Sequence, residues 1–421
     1  MMAVKEWFET RLPVINFWRK HFSQYPVPGN INFWYLFGSL ALLVLVNQAV
    51  TGIWLTMSYV PTQDSAFASV EMMMRDVDYG WLLRYMHTTG ASALFIVIYL
   101  HMYRGIIYGS YQQPRELVWI LGMLTLSVVM AEAFMGYLLP WGQMSYWGAQ
   151  VITSLFGAIP VVGDELMTWI RGDYIVSGVT LGRFFALHVI ALPLMLLFLI
   201  VLHVTALHTV GSNNPDGTET KLPKGTMGKG YKPQFDFHDD YTRKYDLINS
   251  VPFYPYGCVK DLFGISIFLL FFCYILFFSP DGGGYFLESA NFEAADPMTT
   301  PESIAPVWYF TPFYAMLQAI PNKLLGVVML GMSVCLLFLL PWIDRCKVRS
   351  IRYRSKIHMF NIAQFAVCFI GLGAMGAMSA DFSFHTGLVR VFTLGYFMFF
   401  VLLFFYSKRE RTKPLPEGVT G

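Results

Sequence analysis

Residues 86–108 read MHTTGASALFIVIYLHMYRGIIY, and residues 181–207 read LGRFFALHVIALPLMLLFLIVLHVTAL. Each stretch is long and apolar enough to cross a bilayer core as a helix, which takes about 20 residues. Each also carries two histidines, and an ionisable residue inside a membrane is costly and is usually retained for function. These two stretches decide the fold, because together they indicate a membrane bundle built around paired histidines.

The rest of the chain has the same character. Of its 421 residues, 55% are hydrophobic and only 13% are charged, whereas soluble domains carry about 25% charged residues. The sequence predicts an all-α integral membrane protein with eight transmembrane helices, the first four forming a bundle. The predicted spans are 36–57, 86–108, 117–139, 181–207, 258–278, 323–342, 357–379 and 387–406.

The chain divides into three predicted parts. Residues 1–210 contain the four-helix bundle and two amphipathic stretches, 144–155 and 164–170, that would lie along the outer surface. Residues 211–257 form a polar loop on the cytoplasmic side, and residues 258–421 contain the last four spans with a long outer loop.

The positive charges predict the orientation. Of the 29 Lys and Arg residues, 23 lie in or beside the termini and the even-numbered loops, all on one side of the membrane. Because cytoplasmic loops are enriched in these residues, both termini are expected to face the cytoplasm. A net charge of +2 gives no reason to expect a nucleic-acid partner.

The histidines predict two sites at different depths. His87 and His101 stand 14 residues apart, and His188 and His203 stand 15 apart. On a helix, 14 residues rise about 21 Å and return to nearly the same face. Two antiparallel helices so equipped form two stacked bis-histidine sites, and a b-type haem takes two axial imidazoles. The alternative is that these histidines only form hydrogen bonds between helices.

Glycines occur at the same spacing on the other two spans of the bundle. With alternating helix directions, Gly52 and Gly136 fall at the outer level and Gly38 and Gly122 at the inner level. Glycine permits the close approach that a flat macrocycle between four helices requires, although small residues also serve ordinary helix packing. Three arginines beside the histidines would neutralise haem propionates or else reach the lipid head groups: Arg84, Arg104 and Arg183.

Three longer motifs carry a family resemblance. They are MGYLLPWGQMSYWGAQVIT at 135–153, HTVGSNNPDG at 208–217 and WYFTPFYAMLQAIPNK at 308–323. With the histidine and glycine spacing, they resemble the cytochrome b family of the ubiquinol:cytochrome c oxidoreductases, respiratory complex III, over nearly the whole chain. Because the chain also contains the part that photosynthetic relatives carry in a separate subunit, it resembles the bacterial unsplit type.

The resemblance implies quinol oxidation near an outer haem and quinone reduction near an inner one, which generates proton-motive force. His87 with His188 would ligate one haem, and His101 with His203 the other. The positions that match the outer quinol pocket are Phe134, Tyr137, Met144, Trp147, Gly148, Pro306, Trp308 and Tyr309. For Trp147 and Trp308 the alternative is an interfacial aromatic belt.

The resemblance also implies an inner quinone site. The matching positions are Asn32, His208, Ser212, Lys260 and Asp261. His208 and Asp261 would deliver protons, because reduced quinone must be protonated and an imidazole and a carboxylate are suitable donors. The alternative for Lys260 and Asp261 is a surface pair at the start of the fifth span.

One motif departs from the family pattern. The usual P-E-W-Y reads Pro306, Val307, Trp308, Tyr309, so the glutamate credited with accepting a quinol proton is missing. Glu132 lies four residues before Gly136, on the same helical face. We therefore predict Glu132 as the replacement acceptor, with a purely structural pairing as the alternative; Glu302 is the weaker candidate because it is expected to face water.

A second departure is the His188 to His203 spacing, which is one residue longer than in mitochondrial relatives. One extra residue rotates the second histidine by about 100° on an ideal helix. Pro193 lies between the two, and the extra residue falls before it. A bulge or kink in this segment is therefore predicted.

The five cysteines include no C-x-x-C pair or covalent haem motif, so a Rieske iron–sulphur protein and a c-type cytochrome are implied as partners by the resemblance, as is a homodimer. The expected location is a bacterial cytoplasmic membrane. Two rival functions remain at this stage. One is a b-type cytochrome that anchors a dehydrogenase or hydrogenase, and the other is a cofactor-free transporter with a His and Glu proton relay.

Overall fold

The computed structural model describes residues 2–228, 230–378 and 384–420. These residues are mostly helical. In chain order the α-helices are α1 (Met2–Arg11), α2 (Val14–Trp18), α3 (Phe37–Thr56), α4 (Ala66–Arg75), α5 (Gly80–Ile107), α6 (Glu116–Leu138), α7 (Gln143–Phe156), α8 (Gly163–Arg171), α9 (Gly178–Ala186), α10 (Leu192–Val210), α11 (Asp239–Lys244), α12 (Cys258–Phe278), α13 (Thr311–Gln318), α14 (Lys323–Phe338), α15 (Leu340–Ile343), α16 (Lys356–Ala377) and α17 (His385–Tyr406).

Within the described ranges, seven helical segments are long and apolar enough to cross a membrane. They are Phe33–Thr56, Gly80–Ile107, Glu116–Leu138, Gly178–Val210, Phe253–Phe278, Lys356–Ala377 and His385–Arg409. The sixth predicted span is the shorter apolar helix α14, followed by α15. It is shorter because Pro341 has no N–H with which to continue the helix. The prediction of eight apolar helices is confirmed; the predicted end of the seventh span, residue 379, lies outside the described residues.

The first four spans pack as two pairs. Helix α3 runs along α5, and α6 runs along α10. Apolar side chains such as Phe95, Met123 and Leu126 are almost fully buried where the bundle meets the later helices. The pairing places the two histidine-bearing helices, α5 and α10, each beside a glycine-bearing partner.

Helices α9 and α10 form one continuous span with an interruption. Residues Leu187–Ala191 between them form a single turn of π-helix, with Pro193 near the start of α10. A π turn accommodates one extra residue without ending the helix. The bulge predicted from the His188 to His203 spacing is therefore present, and it lies before Pro193 as predicted.

Both predicted surface stretches are helices. Helix α7 covers 144–155 and α8 covers 164–170. Gly172 ends α8 in the left-handed conformation, with φ of 76°, which favours glycine. These helices form the outer end of the bundle together with the loop after α12.

The opposite end is closed by two small antiparallel sheets. Strand β1 (Pro26–Pro28) pairs with β4 (Ser250–Pro252), Pro26 opposite Pro252, and β2 (Lys221–Pro223) pairs with β3 (Tyr245–Leu247), Lys221 opposite Leu247. The β1–β4 sheet joins the N-terminal segment to the polar loop at 211–257, and the β2–β3 sheet lies within that loop. The N-terminal segment and the loop therefore meet at the end of the bundle where the inner quinone site is predicted.

The last helices form a second packed unit. Helix α13 packs on α16, and α16 packs on α17, around the fully buried side chains of Leu372, Tyr396 and Phe399. Helices α13 and α16 also contact the turn Trp308–Phe310 at the end of the loop 279–310, and Tyr309 of this turn packs against α5.

Candidate functional site

The four intramembrane histidines form two facing pairs. The ring centroids of His87 and His188 lie 6.2 Å apart, and those of His101 and His203 lie 6.5 Å apart. Two metal–imidazole bonds of about 2 Å, with each ring centre about 1 Å beyond its nitrogen, separate two axial rings by roughly 6 Å. The spacing of both pairs therefore fits one metal ion between the rings.

A glycine faces each of the four histidine rings. A β-carbon placed on Gly38, Gly52 or Gly122 would lie 3.2 Å from the Cε1 atom of His101, His87 or His203, respectively. One placed on Gly136 would overlap the ring of His188. The structure thus brings together the residues that the sequence predicts at each level, in a space that larger side chains would fill.

Two of the rings are oriented through Nδ1. The Nδ1 atom of His87 lies 2.9 Å from the Thr51 hydroxyl, and that of His188 lies 2.9 Å from the backbone carbonyl of Glu132. When Nδ1 is held by such a contact, Nε2 faces the opposite direction, as metal-bound histidines require. The His87 and His188 rings therefore suit a haem held between two histidines.

The same His188 nitrogen also contacts the Glu132 side chain. Glu132 Oε1 lies 3.1 Å from His188 Nδ1, while Oε2 is buried without a hydrogen-bond partner among the described residues. The structural pairing left open by the sequence is thus present. Whether Glu132 also accepts a quinol proton stays a prediction.

The three predicted arginines differ in their surroundings. Arg84 is buried. The Arg104 guanidinium carbon lies 4.5 Å from the centre of the Tyr35 ring, and one guanidinium nitrogen lies 3.4 Å from His101 Nδ1. The buried Nε of Arg104 has no hydrogen-bond partner in the described residues, so it is free to meet an anion. Arg183 is exposed and donates to the carbonyl of Trp169. Arg104 therefore fits a propionate-binding role best.

The described residues contain no cluster of three or more His, Cys, Asp or Glu side chains able to hold a metal ion. Each histidine pair supplies two ligands only. A planar cofactor that provides four nitrogens of its own matches that donor set, whereas a bare zinc site needs four protein ligands or three with water.

The residues predicted for the outer quinol pocket meet between α6, α7 and the outer loop. Tyr137, at the end of α6, donates a hydrogen bond from its hydroxyl to Glu288 Oε2 (3.1 Å) and accepts one from Asn291 Nδ2 (2.8 Å). Asn291 Oδ1 in turn accepts from the backbone N–H of Ser145 in α7 (2.8 Å). This chain of contacts holds the loop over the predicted pocket.

The motif at 306–309 is fixed against α5. Tyr309 stacks on Phe95 with ring centroids 3.9 Å apart, and its carbonyl accepts from the Tyr99 hydroxyl (2.7 Å). Trp308 Nε1 donates to Ser92 Oγ (3.1 Å). Trp308 is thus fixed to α5; whether it lines the quinol pocket or belongs to an interfacial aromatic belt stays a prediction.

The other predicted pocket residues lie around this loop. Trp147 Nε1 donates to the carbonyl of Asp296 (3.2 Å), and Phe134 packs edge-on against Phe184 at 5.6 Å. Gly148 faces the Tyr137 ring, Met144 is half-buried and Pro306 is buried. The weaker acceptor candidate, Glu302, is exposed as expected.

Sequence reasoning missed Glu288. It lies in an irregular loop, where no helical or strand periodicity marks which side chains face inward. Burial raises the pKa of Glu288 to about 7, against a smaller lowering by the Tyr137 hydrogen bond. The only signal in the sequence was an acidic residue in the same loop as the altered motif.

At the inner end, His208 meets the N-terminal segment. Its ring stacks on Tyr25 with centroids 4.2 Å apart, and its Nδ1 lies 3.3 Å from Nδ1 of His21. Lys221 Nζ donates to the carbonyl of His208 (3.0 Å), and burial lowers the pKa of Lys221 to about 8. His21 was not predicted because its segment is distant in sequence from His208, and Lys221 was not predicted because it lies in the polar loop at 211–257, which has no helical periodicity.

The other inner-site residues lie where the start of the first span meets α12. Asn32 Nδ2 donates to the Tyr108 hydroxyl (3.0 Å), and Lys260 Nζ donates to the carbonyl of Ile31 (3.1 Å). Asp261 Oδ2 accepts from Ser39 Oγ (2.6 Å). Lys260 and Asp261 thus both contact the N-terminal region, which a plain surface pair would not explain. Ser212 follows α10, and its backbone carbonyl accepts a hydrogen bond from Arg115 (3.5 Å).

Comparisons with known proteins identify the family of the chain. Residues 22–211 match the family model described as Cytochrome b/b6/petB, and residues 294–397 match Cytochrome b(C-terminal)/b6/petD. The chain is similar to the cytochrome b of Allochromatium vinosum, with 52% identity over 99% of this chain and 98% of the relative.

Two further relatives extend the match. The cytochrome b of Rhodospirillum rubrum is 46% identical over 99% of this chain and 96% of its own length. A chain of a solved structure, a hyperthermophilic respiratory complex III, matches with a TM-score of 0.84 and 34% identity over 96% of this chain and 99% of that chain.

Proposed function

This chain belongs to the cytochrome b family, and from that premise we propose that it oxidises quinol near the outer membrane face and reduces quinone near the inner face. As a family member it is a membrane-spanning electron-transfer subunit of an oxidoreductase complex, and it binds haem b. The observation that supports the proposal most strongly is the presence of two histidine pairs at two depths, each faced by two glycines.

We propose two haems. His87 and His188 would hold the outer one and His101 and His203 the inner one, with Arg104 and Arg84 placed for the propionates. When bound, the haems would supply one-electron carriers at two depths of the membrane. Moving one electron charge against the membrane potential costs about 2.3 kcal/mol per 100 mV, so two carriers at different depths suit a device that stores energy as proton-motive force.

At the outer site, the residues of this chain would bind quinol and exclude water. The aromatic side chains of Phe134, Tyr137, Trp147 and Trp308 offer flat apolar walls, and Met144 fills irregular space. Tyr309 is held rigidly by Phe95 and Tyr99. Glu132 is the proton acceptor that the sequence predicts, and its contact with His188 also fixes that ring.

At the inner site, the residues would bind quinone and give it protons. Asn32, Ser212 and Lys260 would bind the quinone, with His208 and Asp261 as proton donors. Both donors lie at the end of the bundle closed by the polar loop, where water can return the protons. Proton uptake at this end and release at the outer end add to the proton-motive force.

We propose that the whole complex contains a Rieske iron–sulphur protein and a c-type cytochrome, and that it is a homodimer. The likeness to a respiratory complex III chain supports this assembly. The distribution of Lys and Arg supports a bacterial cytoplasmic membrane with both termini inside. The first predicted part, residues 1–210, would hold the haems.

The test is quinol-driven cytochrome c reduction by the purified complex in sealed vesicles. We expect cytochrome c reduction with proton release on the side where cytochrome c binds. Reduction of quinone without cytochrome c reduction would instead support a dehydrogenase anchor, and absence of haem would support a transporter.

A further inference from the structure

Val307, which stands where the family motif has a glutamate, cannot accept a proton. Val307 is apolar and 5% exposed, packed in the central core with Tyr309. Two protons must nevertheless leave each quinol that is oxidised. A base close to the pocket is therefore needed from another part of the chain.

Glu288 is the carboxylate in contact with a pocket residue. Its Oε2 accepts a hydrogen bond from the Tyr137 hydroxyl, which accepts one from Asn291 Nδ2. A hydroxyl that accepts one hydrogen bond donates a stronger one. Asn291 is 4% exposed and is fixed to α7, so the whole arrangement is held by the body of the protein.

The groups that act on Glu288 are both tyrosines. Tyr137 of α6 faces it directly, and Tyr309 lies close enough for the negative charge of Glu288 to raise the pKa of its hydroxyl, after burial as the main cause. Glu288 has no salt bridge to Lys, Arg or His in the described part of the chain. A carboxylate without a cation is free to change its protonation state.

The same carboxylate lies close to solvent, because Glu288 is only half-buried and the next residue, Ser289, is exposed. A proton taken from the pocket can therefore leave on the outer side. Glu132, in contrast, points its carboxylate at His188 Nδ1 and is buried on its other oxygen.

We propose that Glu288 is the base that accepts a proton from quinol at the outer site. The inference rests on the proposed function. Oxidation of one quinol to quinone releases two electrons and two protons. One proton goes to the Glu288 carboxylate and the other to the iron–sulphur partner, while one electron goes to that partner and one to the haem-bearing bundle. The protonated carboxyl then loses its proton to water outside.

The test compares variants of the complete complex, with a short-chain benzoquinol as donor and cytochrome c as acceptor. Glu288→Gln keeps an oxygen for the Tyr137 hydrogen bond but cannot take a proton. Because general bases contribute about 10²- to 10⁴-fold, we expect turnover to fall about 100-fold. Glu293→Gln is the matched control, since this glutamate of the same loop is exposed.

The pH profile provides the second readout. A base must be deprotonated to accept a proton, and the pKa of Glu288 is raised to about 7. Turnover of the unmodified complex should therefore rise with pH and level off above about pH 7. We expect this inflection to remain in Glu293→Gln and in the conservative variant Glu288→Asp, and to be lost in Glu288→Gln.

Two controls separate the possible failures. Haem reduction by quinol through the inner site, with the outer site inhibited, should be the same in all variants, which shows that the complex has assembled. If that reaction is absent even in the unmodified complex, the proposed function is wrong. If it is present and Glu288→Gln keeps normal turnover and the inflection while Glu132→Gln loses them, Glu132 is the acceptor and our inference is overturned.

Discussion

Gly136 shows how little room the histidine pairs leave for other side chains. A β-carbon at this position would overlap the His188 ring, which Glu132 already holds through Nδ1. The ring cannot move aside without breaking that contact. Glycine is therefore required here by space rather than by backbone conformation, because Gly136 lies in the regular helix α6.

We predict that Gly136→Ala removes the outer haem. The added methyl group displaces His188, so the haem content per subunit should fall from two to one, measured by the pyridine haemochrome spectrum. Gly182→Ala is the control, because a β-carbon at Gly182 meets no atom within 4 Å. Full haem content in Gly136→Ala would show that the close approach of Gly136 to the His188 ring is not needed for haem binding.

The sequence identified some of these residues and missed others, for a physical reason. The histidines and glycines lie on helices, where a spacing of 14 residues places side chains on one face. Glu288 lies in an irregular loop and His21 in the short π-helix Arg19–Ser23, and their contacts with Tyr137 and His208 join parts of the chain far apart in sequence. The spacing of residues along one helix does not predict contacts of this kind.

Among the elements, the π turn at Leu187–Ala191 makes the 15-residue spacing of His188 and His203 compatible with the two facing histidine pairs. Without it, the 15-residue spacing would rotate His203 away from His101 by about 100°. With it, the His101 and His203 rings face each other at 6.5 Å. The bulge was predictable because the spacing conflicted with the expected pairing, although its form was not.

We predict that this turn tolerates the loss of one residue where regular helix does not. Deleting Ile190, which is 60% exposed, should convert the π turn to α-helix and keep both histidines in place. Deleting Phe198, which is 62% exposed in the regular part of α10, should rotate His203 and remove the inner haem. The haem content of the two variants is the measurement; equal loss in both would contradict the account.

On the scale of the whole molecule, a buried ion-pair network joins loops at the end of the bundle that carries most of the Lys and Arg residues. Arg354 contacts Asp344 (2.5 Å) and Glu410 (2.7 Å), and all three side chains are almost fully buried. Asp344 also accepts from Tyr111 and Gln112. The network thereby connects the loop after the second span to the C-terminal tail.

We predict that Arg354→Met destabilises the protein strongly. Removing one partner leaves buried carboxylates unpaired, which costs about 3–5 kcal/mol. Thermal loss of the haem spectrum should occur at lower temperature than in the control Lys347→Met, whose side chain is exposed. Equal stability of the two variants would show that the network contributes little.

The same network predicts acid sensitivity. Burial alone would raise the pKa of Asp344, but Arg354 holds it below its ordinary value of about 4. The stabilisation is therefore present above about pH 4 and is lost as the pH falls below it. The difference in melting temperature between the unmodified protein and Arg354→Met should narrow as the pH is lowered from 7 to 3; a difference that does not change with pH would contradict this.

The central claim is that two haems at two depths carry electrons across the membrane. The most direct test is an anaerobic redox titration of the haem spectrum of the purified complex, with and without an outer-site quinol inhibitor. We predict two b-type components of different potential, with the inhibitor shifting the spectrum of the outer one. A single component, or no haem signal at all, would contradict the account and leave the histidine pairs as helix-packing contacts.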